Sequence, residues 1–166
     1  MDAEEIIKRL GLEPHPGEGG FYRETYRSKE IISADALPER YGADRNLGTA
    51  IYYMLTPKSF SALHRIKSDE VFHFYLGDPV TMLQIHPDGH AESLFLGPDI
   101  MNGQLLQVVV PAGVWQGMYL NKGGNFALMG TTVAPGFDFD DFELADRKAL
   151  LDKYPNFKIL IEKLTV

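Results

Sequence analysis

Residues 61–78 read SALHRIKSDEVFHFYLGD, and their reading decides the fold. The stretch holds His64 and His73, two of five histidines, and sets Glu70 among Val71, Phe72, Phe74 and Tyr75. Ionisable groups among bulky apolar side chains are costly to bury unless they are paired or put to use. In an extended chain, alternate residues share a face. That rule groups His64 with Ile66 on one strand and Glu70 with Phe72 and Phe74 on the next. The polar Lys67-Ser68-Asp69 lies between them. A tight turn there would bring His64 and Glu70 together on the inner face of a hairpin and send Val71, His73 and Tyr75 outward.

The same punctuation extends in both directions. Upstream, GGFYRETYRS (19–28) alternates, placing Tyr22, Glu24 and Tyr26 on one face and Arg23, Thr25 and Arg27 on the other. LGTAIYYMLT (47–56) is β-branched and aromatic, and apolar on both faces, as a covered strand is. Downstream come VTMLQIH, AESLFLG, LLQVVV, WQGMYL and NFALMGTTV. Pro87-Asp88-Gly89 and Lys122-Gly123-Gly124 supply turns between them. Roughly nine short strands at close spacing predict an all-β, antiparallel sandwich or barrel. A short helix is expected at about 3–11, capped by Asp2, carrying Ile6, Ile7 and Leu10 on one stripe and stopped at Gly11. An amphipathic helical tail is expected at about 144–164, broken at Pro155. The barrel would occupy about 20–136 of one domain spanning 1–166.

Composition narrows the function classes. The 166 residues are 45% apolar, which suits one soluble globular domain with a real core. Sixteen Lys and Arg stand against 23 Asp and Glu, a net charge of −7, with no basic cluster to track a phosphate backbone. No nucleic-acid partner is expected. The absence of cysteine removes disulfides, thiolate nucleophiles and Cys-type zinc sites, and with the acidic, leaderless N-terminus predicts a cytoplasmic protein. No segment approaches the ~18 consecutive apolar residues of a membrane helix, so no membrane partner is expected.

His64-x-Ile66-x-x-x-Glu70, with Gly77 after six further residues, resembles the first motif of the cupin superfamily, HxHxxxExxxxxxG, with its second histidine absent. Pro111-Ala112-Gly113-Val114-Trp115-Gln116 resembles the second motif, PxGxxH, with glutamine in place of histidine. GGFYRETYRS, GTAIYYML, SDEVFHFYLGD, PAGVWQG and TVAPGFDFDDFEL together resemble the small cupin family often called cupin 5, whose members are sometimes labelled predicted sugar epimerases. The resemblance covers nearly the whole chain. It implies a cupin (jelly-roll) barrel with short flanking helices and supports a homodimer, which the doubly apolar 47–55 strand also suggests. In metal-binding cupins the motif positions carry three histidines and a glutamate. Here they are His64, Ile66, Glu70 and Gln116, a set too poor in imidazole for firm binding of a transition metal. No cofactor is expected; a weak divalent metal on His64, Glu70 and Gln116 is the alternative.

Without a metal, a histidine beside a carboxylate in an aromatic-lined pocket is an acid–base dyad. His64 would be the base and Glu70 its orienting partner. Resemblance to metal-free cupin sugar epimerases implies a tyrosine acid, with Tyr22, Tyr26, Tyr53 and Tyr119 as candidates. Gln116, beside Met118 on its face, would read a hydroxyl or carbonyl of the ligand. Tyr22 and Glu24 would suit sugar hydroxyls, and Tyr53, Phe72 and Phe74 would tune an apolar pocket. His73, on the outward face, reads as a hydrogen-bonded structural group that enters the site only if a bulge resets the register. In PGFDFDDFEL, Phe137, Phe139 and Phe142 would close one barrel end while Asp140, Asp141 and Glu143 face water or the following helix. GEGG (17–20) lacks the Lys-Ser/Thr of a phosphate loop, and His15, His86 and His90 sit by turns without a visible partner. The expected function is small-molecule binding, with metal-independent isomerisation or epimerisation of a sugar-like ligand as the leading activity. The rivals are a binding module without turnover and a weakly metal-dependent enzyme.

Overall fold

The structure is a computed structural model that describes residues 2–166. Its frame is α1 (Ala3–Leu10), β1 (Glu13–Pro14), β2 (Phe21–Arg27), β3 (Ile31–Ile32), β4 (Arg45–Asn46), β5 (Thr49–Leu55), β6 (Phe60–Arg65) and β7 (Asp69–Gly77). There follow β8 (Val80–Ile85), β9 (Ala91–Leu96), β10 (Gln107–Val110), β11 (Trp115–Leu120), β12 (Ala127–Ala134), β13 (Glu143–Leu144), α2 (Arg147–Lys153) and α3 (Lys158–Lys163). One sheet runs β1-β2-β5-β12-β7-β10, the other β13-β6-β11-β8-β9, and β3 pairs with β4 apart from both. Every ladder is antiparallel. The fold is all-β with short flanking helices, as expected, but its ladders form two facing sheets rather than one closed ring.

That division overturns the expected hairpin turn at 67–69. β6 and β7 belong to different sheets, so Lys67-Ser68-Asp69 carries the chain across the sandwich. His64 and Glu70 face each other from opposite walls instead of lying side by side. The turns at 87–89 and 122–124 do join neighbouring elements as expected, β8 to β9 and β11 to β12, with Gly89 and Gly123 at positive φ.

Between the sheets, Tyr53, Phe72, Phe74, Met82, Met118 and Met129 are buried in one apolar core. The outer faces have their own covers. Helix α1 is capped by Asp2, which accepts from the Glu4 amide, and stopped by a left-handed Gly11. It packs Ile6 onto Met54, Phe126 and Leu128, so part of the double-sided burial of the 47–55 strand comes from this helix. On the opposite side, Leu150, Tyr154, Ile161 and Leu164 of the C-terminal segment cover Leu63, Leu83 and Ile85. Apolar burial therefore occupies the middle and both outer faces, leaving one end of the sandwich for polar groups. No helix among the described residues is long and apolar enough to cross a membrane.

Candidate functional site

At that end lies a cavity of about 450 Å³. Its floor carries Glu18, His64 and Glu70, its side Tyr22 and His15, and its rim the aromatic strap of Phe137, Phe139 and Phe142. His64 is held at both nitrogens: Nε2 lies 2.8 Å from Oε2 of Glu18 and Nδ1 2.7 Å from the Ala62 carbonyl oxygen. A carbonyl only accepts, so Nδ1 carries a proton and donates. Phe142 stacks over the ring at 5.2 Å and 24°. Ser61 Oγ donates to the same Glu18 oxygen at 3.0 Å. Across the cavity, Gln116 Nε2 donates to Oε2 of Glu70 at 2.6 Å, while Gln116 Oε1 is buried without a partner among the described residues.

Glu18 belongs to the GEGG loop, which sequence reasoning set aside. The loop turns through Gly19 (φ +94°) and Gly20 (φ +73°), and a Cβ at Gly19 would come within 2.6 Å of the Phe60 carbonyl oxygen. Only glycine fits that left-handed, close-packed path. Tyr53 secures it from the core, its hydroxyl donating to the Gly19 carbonyl at 2.8 Å. His15 secures it from the side: Nδ1 accepts from the amides of Gly17 (3.2 Å) and Glu18 (3.1 Å). Those two bonds fix the proton of the neutral ring on Nε2.

The electrostatics follow from this geometry. Burial alone would push the His64 pKa down, but the Glu18 charge and hydrogen bond, then Glu70 and the Ala62 carbonyl, raise it to about 9. Burial likewise pushes Glu18 up, yet His64 and, more weakly, His15 and Ser61 hold it below the ordinary carboxylate value. Burial and the Glu18 charge raise Glu70, against partial relief from His64, Gln116 and Thr131. Burial lowers His15, despite the opposing pull of Glu18. At neutral pH the floor thus holds an imidazolium–carboxylate pair, with a carboxyl of raised pKa opposite and a neutral imidazole alongside.

Several expected residues lie elsewhere. The side chain bonded to His64 is Glu18, not Glu70. Tyr53, Phe72, Phe74 and Met118 pack in the central core and do not line the cavity. Tyr53 is also pushed well above the ordinary tyrosine value by burial and Glu18, which makes it a poor proton donor. Gln116 reaches Glu70 rather than the open space. His73 faces outward, bonded to Thr132 and Gln107. Tyr22 and Glu24 do line the cavity. Tyr26 does not, because a register shift between Glu24 and Tyr26 turns it outward and brings Arg27 in. Asp141, expected to face water or a helix end, is buried against Arg45 at 2.6 Å. The missed residues are Glu18 and His15, whereas Arg27, placed by alternation on the face opposite Glu24, is brought to the same cavity by the register shift. The available signal for the first two was an acid among glycines directly ahead of a strand; nothing local marked the shift that admits Arg27.

The four cupin-motif positions do not suit a metal. Both His64 nitrogens are already hydrogen-bonded, Ile66 offers no donor atom, and Glu70 is engaged by the Gln116 amide. Among the described residues, no group of three or more His, Cys, Asp or Glu side chains is arranged to hold an ion.

A two-sheet antiparallel sandwich with a polar cavity at one end and motif residues on facing walls defines a cupin-type domain with a cavity of small-ligand size. The chain belongs to the cupin superfamily family whose model is described as "Cupin superfamily (DUF985)", matched over residues 4–145. It is 33% identical over 133 residues to the uncharacterized protein YML079W of Saccharomyces cerevisiae, covering 75% of this chain and 66% of that protein. The match thus spans just under two thirds of the yeast relative. Among solved structures, protein SO0799 of Shewanella oneidensis is 38% identical with a TM-score of 0.88, covering 100% of this chain and 98% of that one. A hypothetical protein from Leishmania major is 33% identical with a TM-score of 0.89, covering 99% of each chain. Oxalate decarboxylase of Bacillus subtilis, at 14% identity and a TM-score of 0.54 over 92% of this chain and 37% of that one, shares the fold alone.

Proposed function

We propose that the protein moves a proton on a small carbonyl- or hydroxyl-bearing ligand, as a metal-independent isomerase or epimerase of sugar-like compounds, with Glu70 as the base. The observation that carries this reading is the division of labour on the cavity floor. Glu18 and His64 neutralise each other and have no nitrogen left to accept a proton, so the base role first expected of His64 passes to Glu70. Its raised pKa brings it toward the operating pH, where a general base is most effective. The Gln116 amide serves both forms of Glu70. As oriented, Nε2 donates to the carboxylate; a half-turn would present the partnerless Oε1 to the protonated acid.

In the step proposed, the C–H bond beside a ligand carbonyl breaks, its proton goes to Glu70, and the electron pair moves onto the carbonyl oxygen. Neutral His15, with its proton on Nε2, is the hydrogen-bond donor for that oxygen. A raised-pKa glutamate paired with a neutral histidine donor is a recurring arrangement for enolisation. Protonation of the opposite face of that carbon completes an epimerisation. Protonation of the former carbonyl carbon, with a proton passing from the neighbouring hydroxyl to the former carbonyl oxygen, completes an isomerisation, and no electron donor or acceptor is needed. Tyr75 and Val109 are exposed on the outer face of the larger sheet, and a second copy covering them is part of the reading, to be checked by sedimentation velocity.

The test is solvent exchange. Candidate sugars are incubated with the protein in deuterated water and deuterium at carbon is followed by NMR. We expect incorporation with the native chain and a fall of about 100-fold or more for Glu70→Gln, with ligand affinity within a few-fold. A ligand that binds but never exchanges would make this a binding module and end the proposal.

A further inference from the structure

The charges around the cavity bear on what it will accept. Four carboxyl groups line it, Glu18, Glu24, Glu70 and Asp138, against two cations, Arg27 and His64. Neither cation is free. His64 is committed to Glu18 and the Ala62 carbonyl. Arg27 clamps Glu24 in two-pronged fashion, Nε to Oε1 at 3.0 Å and a terminal nitrogen to Oε2 at 2.8 Å. The same guanidinium donates to Asn46 Oδ1 at 2.8 Å and to the Phe137 carbonyl at 3.1 Å. The pair is partly exposed, its side chains 37% and 39% accessible, so an anion seeking Arg27 competes with Glu24 for the guanidinium fork and meets the repulsion of Glu24 and of Asp138, whose charge also acts on Arg27. What the wall offers instead is uncharged. Among the described residues His15 Nε2 has no protein partner and is not sealed from solvent, Thr49 and Thr131 present hydroxyl-bearing side chains, and Tyr22 and the strap phenylalanines supply ring faces.

We propose that the cavity selects uncharged polyhydroxy carbonyl compounds, free sugars in chemical terms, and rejects their phosphate esters and their acids. This deepens the proton-transfer reading and rests on it for the identity of the site. Such a ligand needs hydrogen-bond partners and ring platforms without a counter-ion, and the lining supplies those. A phosphate or carboxylate would need an unpaired cation, and among the described residues the cavity has none.

The experiment measures affinity across matched sets by isothermal titration: several free aldoses and ketoses, each with its phosphate monoester and its sugar acid, at constant ionic strength. At least one free sugar should bind, with its phosphate and acid weaker by about tenfold or more. Glu24→Gln should shrink that ratio severalfold, since it frees the Arg27 fork. A phosphate or acid that binds as tightly as its parent overturns the proposal. So does failure of every free sugar to bind, or an unchanged ratio in Glu24→Gln. The two readings fail separately: a bound free sugar that never exchanges deuterium sinks proton transfer and leaves charge selection standing. A phosphate ester that exchanges deuterium and binds as tightly as its parent sugar does the reverse.

Discussion

Glu18 and His64 hold each other in opposite charge states, and each would relax without the other. The imidazole titrates at about 9 against an ordinary 6.5, so the pair's stabilisation is complete below about pH 6.5 and is lost as pH rises from there through 9. Glu18, held below its ordinary value, contributes above that value and loses its contribution as pH falls through the lower folded one. Glu18→Gln removes the charge that opposes desolvation. Carbon- or nitrogen-detected NMR should then show the His64 midpoint moving down by more than a unit; a midpoint still near 9 would mean the carboxylate is not its cause. Breaking such a buried pair should cost about 3–5 kcal/mol in urea unfolding. None of this pairing was readable locally. His64 and Glu70 were conspicuous because they interrupt apolar runs, whereas Glu18 sat in a glycine-rich loop, where an acid ordinarily faces water.

At the scale of elements, the strap after β12 decides how the cavity is roofed. Thr49 Oγ1 accepts from the Phe137 amide at 2.9 Å, and the Asn46 carbonyl accepts from Gly136 at 2.7 Å. Asp141 then ties the strap down, taking two bonds from Arg45 with both side chains under 5% exposed and Lys67 Nζ at 3.4 Å. Asp141→Asn leaves Arg45 buried without its counter-charge. We expect a loss of about 3–5 kcal/mol and faster amide hydrogen exchange at Gly136 and Phe137; unchanged exchange there would show that the strap is held by its backbone bonds alone. The phenylalanines of this segment were readable as a closure from their spacing. The acid between them was not, because its partner, Arg45, lies in the irregular 29–46 connection, far away in sequence.

For the whole molecule, the two covers on the outer faces and the cavity between the sheets are built from different residues. Ile161 is fully buried over Leu63, Leu83 and Ile85, and no residue lining the cavity is a member of that cluster. Ile161→Ala should therefore destabilise the fold by about 2–5 kcal/mol while leaving the His64 titration where it was. A shifted titration would reveal coupling between the tail and the site.

The sequence by itself determined most of the extended segments, the face of each side chain along strands without a register shift, the turns at 87–89 and 122–124, and that cysteine chemistry is absent. Period-two alternation and turn residues encode those features locally, and the cupin motifs placed His64, Glu70 and Gln116 on inward faces. Tertiary structure decided which sheet each strand joins, that 67–69 crosses the sandwich instead of folding back, and that a register shift in β2 brings Arg27 inside. Alternation specifies a face but not the partner across it. The ion pairs at this site join residues brought together by packing between sheets and loops, so charge states that depend on them exist only once the chain has folded.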